Sequence, residues 1–267
     1  MQYTLVTIIT AVLICTGIHA ISIQNFGPGM TVFCKHKEGT ELVLTNYPNV
    51  LLVVFHRSNH VRMNTKLGGI WQTEVVLSNL NPSQTEWTTV VEVKQNGYDV
   101  YVNGKHHLFA HRQPVTSVNN ITCGNDQFSV GKVLRDFSMG RVVYIKATAP
   151  SSGDFKIDLL PMLPREMNCQ WNKVSLVLHA KFSSNPQAVT RNTYGPLCNG
   201  VELGETSGGM PFIAGEPFEM LIVAQQFGFE IGVNGSHFAS YDYRTALSRD
   251  MTIMLTNVLN IENIEYY

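Results

Sequence analysis

The sequence is poor in charge of either sign. Lysine and arginine together number 19 and aspartate and glutamate 20, which gives a formal net charge of −1, and charged residues make up only 15% of the chain. A chain without an excess of one sign has no long-range field that would attract nucleic acid or anionic lipid. We therefore expect no nucleic-acid partner.

The sequence also lacks an apolar run long enough to span a bilayer, which takes about 20 residues. The apolar stretch from Leu5 to Ile18 is shorter, contains no charged side chain and is followed by the small residue Ala20. This pattern is typical of a signal peptide, although no lysine or arginine precedes the apolar stretch. The sequence thus predicts a leader over residues 1–20, a secreted chain and no membrane insertion.

Cysteines are few, and one of the five lies within the predicted leader. Those that remain are Cys34, Cys123, Cys169 and Cys198. An even number permits two disulfides in three pairings, but a chain of this length does not need them to form a core. No two of these cysteines stand two to four residues apart, so the spacing of a zinc site is missing. Two sequons that suit a secretory route predict possible N-glycosylation at Asn120 and Asn234.

Motifs of catalysis are missing as well. The sequence has neither the G-x-S-x-G turn of a serine hydrolase nor a phosphate-binding loop. A glycoside hydrolase needs two carboxyl groups about 5 to 9 Å apart, and the acidic pairs Glu202/Glu205 and Glu216/Glu219 would point to opposite faces of a strand. We expect no enzyme activity.

Three nearby histidines, His106, His107 and His111, have the side chains that a metal site could use. Neighbours 106 and 107 face opposite sides of a strand, so a solvated strand edge explains these residues better than a shared metal ion. We expect no metal and no other cofactor.

What the sequence does contain is short segments rich in valine, isoleucine, tyrosine and phenylalanine, with turn residues between them. The clearest are residues 90–94, 98–102 and 106–111, which are separated by Asn96-Gly97 and Asn103-Gly104. Asn-Gly tolerates the positive φ angles of a type I′ turn, whose twist matches antiparallel strands. The sequence therefore predicts three strands joined by two hairpins.

The same hairpin pattern returns 131 residues later, where residues 229–237 repeat 98–106. Upstream, His56 and His179 each close an apolar run, and an Asn-Thr pair follows each of them. A repeat of this length indicates a duplicated domain rather than a solenoid. We predict an all-β chain with domains over residues 21–135 and 136–267, each an antiparallel β-sandwich with jelly-roll winding.

Four residues of the first repeat have the chemistry that a neutral sugar requires: His56, Asn64, Trp71 and Glu74. A sugar ring has an apolar face that packs on an aromatic ring and hydroxyls that bond to planar donors and acceptors. Trp71 would supply the flat surface, and the other three would bond the hydroxyls. The alternative interpretation is that Trp71 belongs to the core and His56 is a satisfied histidine at a strand end.

Residues 64–74, NTKLGGIWQTE, resemble the signature segment of the galectin family, in which Asn, Trp and Glu stand at these intervals. Further similarity lies in residues 27–30, 53–56, 101–104 and 111–114, and in 209–212, 215–218, 229–231, 233–235 and 241–244 of the second repeat. The resemblance implies a concanavalin-like galectin fold in tandem. It also implies a non-catalytic lectin for galactose-bearing glycans, in which the tryptophan stacks on galactose and His56, Asn64 and Glu74 bond its hydroxyls.

The first repeat also departs from the galectin pattern. Asparagine and arginine ordinarily follow the histidine at alternate positions, where Ser58 and His60 stand here, and Val76 replaces a second arginine. Asn59 and Arg62 could substitute after a register shift. Charge-assisted bonds from guanidinium groups are worth roughly 1.5 to 3 kcal/mol each, so their loss would weaken or redirect galactoside binding.

The second repeat departs further. The position seven residues after Asn192 holds Asn199 instead of tryptophan, and Lys181, Ser183 and Gly204 occupy the remaining polar positions. We predict a weaker second site at His179, Asn192 and Glu202 and sugar binding mainly through the first domain. The alternative function is a secreted protein-interaction module that keeps the galectin fold without sugar binding.

Overall fold

The structure is a computed structural model that describes residues 18–37, 39–57, 60–78, 86–110, 112, 118–124, 127–161, 174–194 and 204–267. These residues form strands and turns, and no helix among them is long and apolar enough to cross a membrane. The all-β fold predicted from the sequence is confirmed.

The chain divides into two compact units. Unit 1 contains residues up to 28 and residues 33–128, and unit 2 contains residues 29–32 and 129–267. The boundary between residues 135 and 136 stays a prediction. The leader over residues 1–20 also stays one, since residues 1–17 lie outside the described part of the chain and Ala20 lies within the first strand.

Unit 1 is an antiparallel sandwich. Each strand is assigned here to the unit that contains most of its residues. The strands of unit 1 are β1 (Ile18–Ile23), β2 (Met30–Lys37), β3 (Glu41–Asn46), β4 (Asn49–Arg57), β5 (His60–Leu67), β6 (Ile70–Trp71), β7 (Val75–Leu77), β8 (Glu86–Val93), β9 (Gly97–Val102), β10 (Lys105–Ala110) and β11 (Asn120–Gly124). One sheet has the order β1-β11-β3-β4-β5, with β6 and β7 both paired to β5, and the other has the order β2-β8-β9-β10. The first of these two sheets carries the predicted sugar site, and we call it the outer sheet of unit 1.

A disulfide joins the two sheets of unit 1. It links Cys34 on β2 to Cys123 on β11, 89 residues apart in sequence, and both residues are completely buried. This bond selects one pairing from those that the sequence left open. Cys169 and Cys198 lie outside the described residues.

Unit 2 has the same type of architecture. Its strands are β12 (Gln127–Leu134), β13 (Val142–Thr148), β14 (Phe155–Pro161), β15 (Val174–Lys181), β16 (Ala188–Tyr194), β17 (Pro217–Ala224), β18 (Gly228–Val233), β19 (Ser236–Asp242), β20 (Met251–Thr256) and β21 (Asn260–Tyr266). One sheet has the order β19-β18-β17-β13-β21 and the other β12-β20-β14-β15-β16. Side chains alternate between buried and half-buried along β13 and β18, as expected where only one face of a sheet packs on the core.

The turns show why the sequence repeats. Asn103-Gly104 and Asn234-Gly235 have positive φ at both central residues and join β9 to β10 and β18 to β19, which confirms the predicted type I′ hairpins. Asn96-Gly97 also lies at a hairpin, but the expected mechanism is wrong there because neither residue has positive φ. Gly97 already belongs to β9, where an added Cβ would lie 2.8 Å from the carbonyl oxygen of Phe109.

Candidate functional site

The outer sheet of unit 1 carries an open cavity of about 350 Å³. It is lined by Glu41, Val53, Phe55, Arg57, Arg62, Asn64, Trp71 and Glu74. These residues come from β3, β4, β5, β6 and the segment between β6 and β7. The structure therefore brings together three of the four residues predicted for the first site and separates them from the fourth.

Trp71 reaches the cavity from a tight hairpin. Gly68 and Gly69 both have positive φ and reverse the chain between β5 and β6, so that Trp71 pairs with Lys66. Trp71 is 52% exposed, and the Lys66 ammonium lies 5.6 Å from its ring centroid. The interpretation of Trp71 as a core residue is wrong, because an aromatic ring of the hydrophobic core is removed from water.

Arg62 and Glu74 form an ion pair in the cavity. Arg62 Nη1 lies 3.3 Å from Glu74 Oε1, and Arg62 Nε donates to His60 Nε2 at 2.9 Å. Since two bonds hold the guanidinium, its planar edge is fixed beside the carboxylate. Val76 lies opposite Arg62 in the β5–β7 register. The suggestion that Arg62 supplies a guanidinium to the site thus agrees with its position, whereas Asn59 lies outside the described residues.

Asn64 contributes through its carboxamide. Its Oδ1 accepts a hydrogen bond from the Thr65 backbone nitrogen at 2.7 Å and another from Arg112 Nη1 at 3.3 Å. Both lone-pair directions of this oxygen are therefore used inside the protein. The side-chain NH₂ is the group that Asn64 has left to offer to a ligand as a donor.

His56 does not belong to the cavity, and the prediction that it contacts sugar is corrected. It is completely buried, its Nε2 lies 3.0 Å from Thr89 Oγ1, and its ring centroid lies 5.1 Å from that of Trp87. Successive side chains on a strand point to opposite faces. Because Phe55 and Arg57 line the cavity, His56 between them faces the core of unit 1.

We expect His56→Ala to lower the free energy of unfolding by roughly 2 to 4 kcal/mol, because it removes a buried ring and its hydrogen bond. Urea denaturation measures this loss, and His56→Gln, which can keep a bond to Thr89, should lose less. In the folded fraction, the Kd for lactose should stay within about twofold of the wild type. A tenfold weaker Kd in folded His56→Gln would contradict the core assignment.

Arg57 is a residue of the cavity that the sequence reasoning missed. Its guanidinium carbon lies 5.4 Å from the Phe55 ring centroid. Counted forward from His56, the alternate positions of the pattern are Ser58 and His60. Counted backward from Arg57, the alternate positions are Phe55 and Val53, and these do line the cavity. One arginine of the family pattern is thus present, while apolar residues occupy the positions of histidine and asparagine.

Glu41 is the second residue that was missed. It lies on β3 directly opposite Phe55 and lines the same cavity. Burial raises the pKa of its carboxyl. No sequence signal indicated Glu41, because its position depends on the pairing of β3 with β4.

The strand register also revises the second predicted site. In unit 1 Val53 pairs with Asn64, and in unit 2 Val177 pairs with Asn192. The residue two positions beyond Val177 is His179, which is therefore the counterpart of Phe55 and not of His56. The equivalence of the two histidines inferred from the sequence is wrong by one position.

In unit 2, His179 Nε2 lies 3.6 Å from Asp154 Oδ2. Asn192 repeats the bonding of Asn64, since its Oδ1 accepts from the Thr193 backbone nitrogen at 2.8 Å and from Arg244 Nη1 at 3.5 Å. Lys181 is the counterpart of Arg57 by the same register. Glu202 and Asn199 lie outside the described residues.

The two sequons have different surroundings. Asn120 lies within β11, between Ser22 of β1 and Thr45 of β3, and is half-buried. Asn234 lies in the exposed β18–β19 turn, where its Oδ1 accepts from the Glu219 backbone nitrogen at 2.9 Å. Glycosylation at either site stays a prediction. Within the described ranges, no three His, Cys, Asp or Glu side chains form a cluster suited to a metal ion.

Comparisons with known proteins establish the family. The Galactoside-binding lectin family matches this chain twice, over residues 48–134 and 128–266. Galectin-8 of Rattus norvegicus is 25% identical over 235 residues, which cover 71% of this chain and 71% of the rat protein.

Similar solved structures include a variant of human galectin-16 and the Caenorhabditis elegans galectin LEC-6. The former has 21% identity and a TM-score of 0.41 and covers 51% of this chain and 93% of the human chain. The latter has 24% identity and a TM-score of 0.35, and the match covers 39% of this chain and 80% of the Caenorhabditis elegans chain. Because the family match extends over both halves of the sequence, this chain belongs to the galectin family of galactoside-binding lectins, with two lectin domains in tandem.

Proposed function

We propose that this protein is a secreted, non-catalytic lectin that binds galactose-bearing glycans mainly through the cavity of unit 1. The observation that carries the proposal is the convergence of Trp71, Asn64 and the Arg62–Glu74 ion pair on one cavity. An exposed indole ring suits the apolar face of a sugar. The guanidinium and the carboxamide donate to hydroxyl oxygens, and the carboxylate accepts from hydroxyl groups.

Preference for unit 1 is supported by the residues at equivalent strand positions. Unit 2 has His179 and Lys181 where unit 1 has Phe55 and Arg57. A lysine provides a point charge in place of the planar fork of an arginine. We propose that unit 2 contributes mainly as a scaffold.

Secretion is supported by the Cys34–Cys123 disulfide. Structural disulfides form and persist in oxidising compartments and are rare in the cytosol. A buried bond between the two sheets of unit 1 therefore favours a chain that folds in the secretory pathway. This proposal agrees with the leader predicted over residues 1–20.

Affinity chromatography tests the proposed function. The full-length chain should be retained on immobilised β-galactoside and elute with lactose but not with maltose. Glu74→Gln should reduce retention, since the amide loses a charged acceptor and the ion pair with Arg62. The matched control is Glu86→Gln, which removes a surface ion pair with Lys35 and should be retained like the wild type.

Two outcomes would contradict the proposal. Failure of the wild-type chain to bind the resin would favour the protein-interaction module instead. Release of galactose from lactose during incubation with the protein would show catalysis.

A further inference from the structure

Half of the unit 1 cavity has a composition that a simple hexose does not require. Glu41 on β3 and Val53, Phe55 and Arg57 on β4 form this part, which we call the β3–β4 half. The galectin pattern places hydrogen-bonding histidine and asparagine at the positions of Val53 and Phe55. A hydroxyl placed against these apolar side chains would lose water without gaining a bond.

The β3–β4 half offers three kinds of contact within a small area. Glu41 and Phe55 are direct partners in the register, which brings their Cβ atoms to about 5 Å. Arg57 shares the face of Phe55, with its guanidinium carbon 5.4 Å from the ring centroid. An acceptor, an apolar surface and a planar donor therefore lie next to one another.

A secondary amide that bears a methyl group complements all three contacts. Its N–H can donate to the Glu41 carboxylate, its carbonyl oxygen can accept from the Arg57 guanidinium, and its methyl can pack on Phe55 and Val53. We propose that the β3–β4 half binds the acetamido group of an N-acetylhexosamine. This inference rests on the proposed function, because the sugar ring would occupy the remainder of the same cavity.

Other substituents use this surface less completely. A free amine would pair with Glu41 but would be repelled by Arg57, and a sulfate or carboxylate would pair with Arg57 but would be repelled by Glu41. Neither group carries the methyl that Phe55 and Val53 can cover. The acetamido group is neutral and uses the donor, the acceptor and the apolar surface together.

Titration calorimetry with three ligands tests the inference on the full-length chain. The ligands are methyl β-galactoside, its 2-acetamido-2-deoxy derivative and its 2-amino-2-deoxy derivative. We expect the acetamido sugar to bind about tenfold more tightly than methyl β-galactoside, since a buried methyl and two hydrogen bonds are gained. The amino sugar should show no such advantage.

Two substitutions at Phe55 make the test specific. Phe55→Asn should reduce the acetamido advantage to about twofold or less, whereas Phe55→Leu, which keeps an apolar contact, should retain most of it. Melting temperatures identify any variant that fails to fold. Equal affinities of the wild type for the acetamido sugar and methyl β-galactoside, or an advantage that survives in folded Phe55→Asn, would overturn the inference.

The same titrations separate this inference from the proposed function. If methyl β-galactoside binds and the acetamido group adds nothing, the lectin proposal stands and the acetamido proposal fails. If no sugar binds to the folded wild-type chain, both fail.

Discussion

Trp71→Ala is expected to weaken lactose binding by about 30-fold or more, which corresponds to roughly 2 kcal/mol. The indole ring is 52% exposed and lines the cavity, so the substitution removes the flat surface on which a sugar ring would pack. A half-exposed side chain contributes little to the core, and the melting temperature should hardly change. Calorimetric titration gives the Kd, and thermal unfolding followed by circular dichroism gives the stability.

The matched control for this substitution is Ile70→Ala. Ile70 precedes Trp71 on β6, is 69% exposed and does not line the cavity. The substitution Ile70→Ala therefore removes an apolar side chain from the same hairpin but leaves the lining of the cavity unchanged. Lactose affinity should remain that of the wild type in Ile70→Ala. A Trp71→Ala chain that binds within threefold of the wild type would contradict the role of the tryptophan.

Removal of the disulfide through combined Cys34→Ala and Cys123→Ala substitutions is expected to lower the free energy of unfolding by about 2 to 5 kcal/mol. The bond closes a loop of 89 residues. Without the bond the unfolded chain gains conformational entropy, and in the chain-entropy model this gain is larger for a longer loop. Both sulfurs also fill buried positions between the sheets of unit 1, so their loss leaves small cavities. Urea denaturation of the oxidised wild type and the double variant measures the difference.

Peptide mapping under non-reducing conditions supplies the control for the disulfide. A peptide that links Cys34 to Cys123 should be found in the wild type and should persist when Cys169 and Cys198 are both replaced by alanine. Identification of Cys34 in any other pairing would contradict the structure. An unchanged free energy of unfolding in the Cys34/Cys123 variant would contradict the stabilising role of the bond.

The sequence predicted the fold well because its strongest signals are local. Asn103-Gly104 and Asn234-Gly235 adopt the positive φ angles that such turns need, and the strands on either side follow from them. Asn96-Gly97 shows the limit of this reasoning, since that hairpin reverses without positive φ at either residue. Glycine is needed there for close approach of Phe109, which is a contact that a local pattern does not contain.

The site was predicted less completely, because its composition depends on strand register. The Asn64-to-Glu74 segment lies on one continuous hairpin and its connection, so the spacing of Asn64, Trp71 and Glu74 was sufficient to group them. Similarity to a motif predicts that His56 contacts sugar, but a shift of one residue on a strand moves a side chain to the opposite face. That shift buries His56 and brings Phe55 and Arg57 into the cavity.

Glu41 shows a second kind of information that the sequence did not contain. It reaches the cavity because β3 pairs with β4 in a register that places it opposite Phe55. The position of Arg112 beside Asn64, 48 residues away in sequence, likewise follows only from the folded sandwich. Contacts between distant segments therefore complete a site whose centre was visible in one short segment.

A crystal structure of the full-length chain soaked with lactose tests the central claim most directly. We predict that a galactose ring packs on Trp71, with Arg62, Glu74 and Asn64 within hydrogen-bond distance of its hydroxyls and His56 unchanged in the core. Sugar density that avoids the Trp71 cavity, or a galactose that contacts His56 and leaves Trp71 free, would contradict this account.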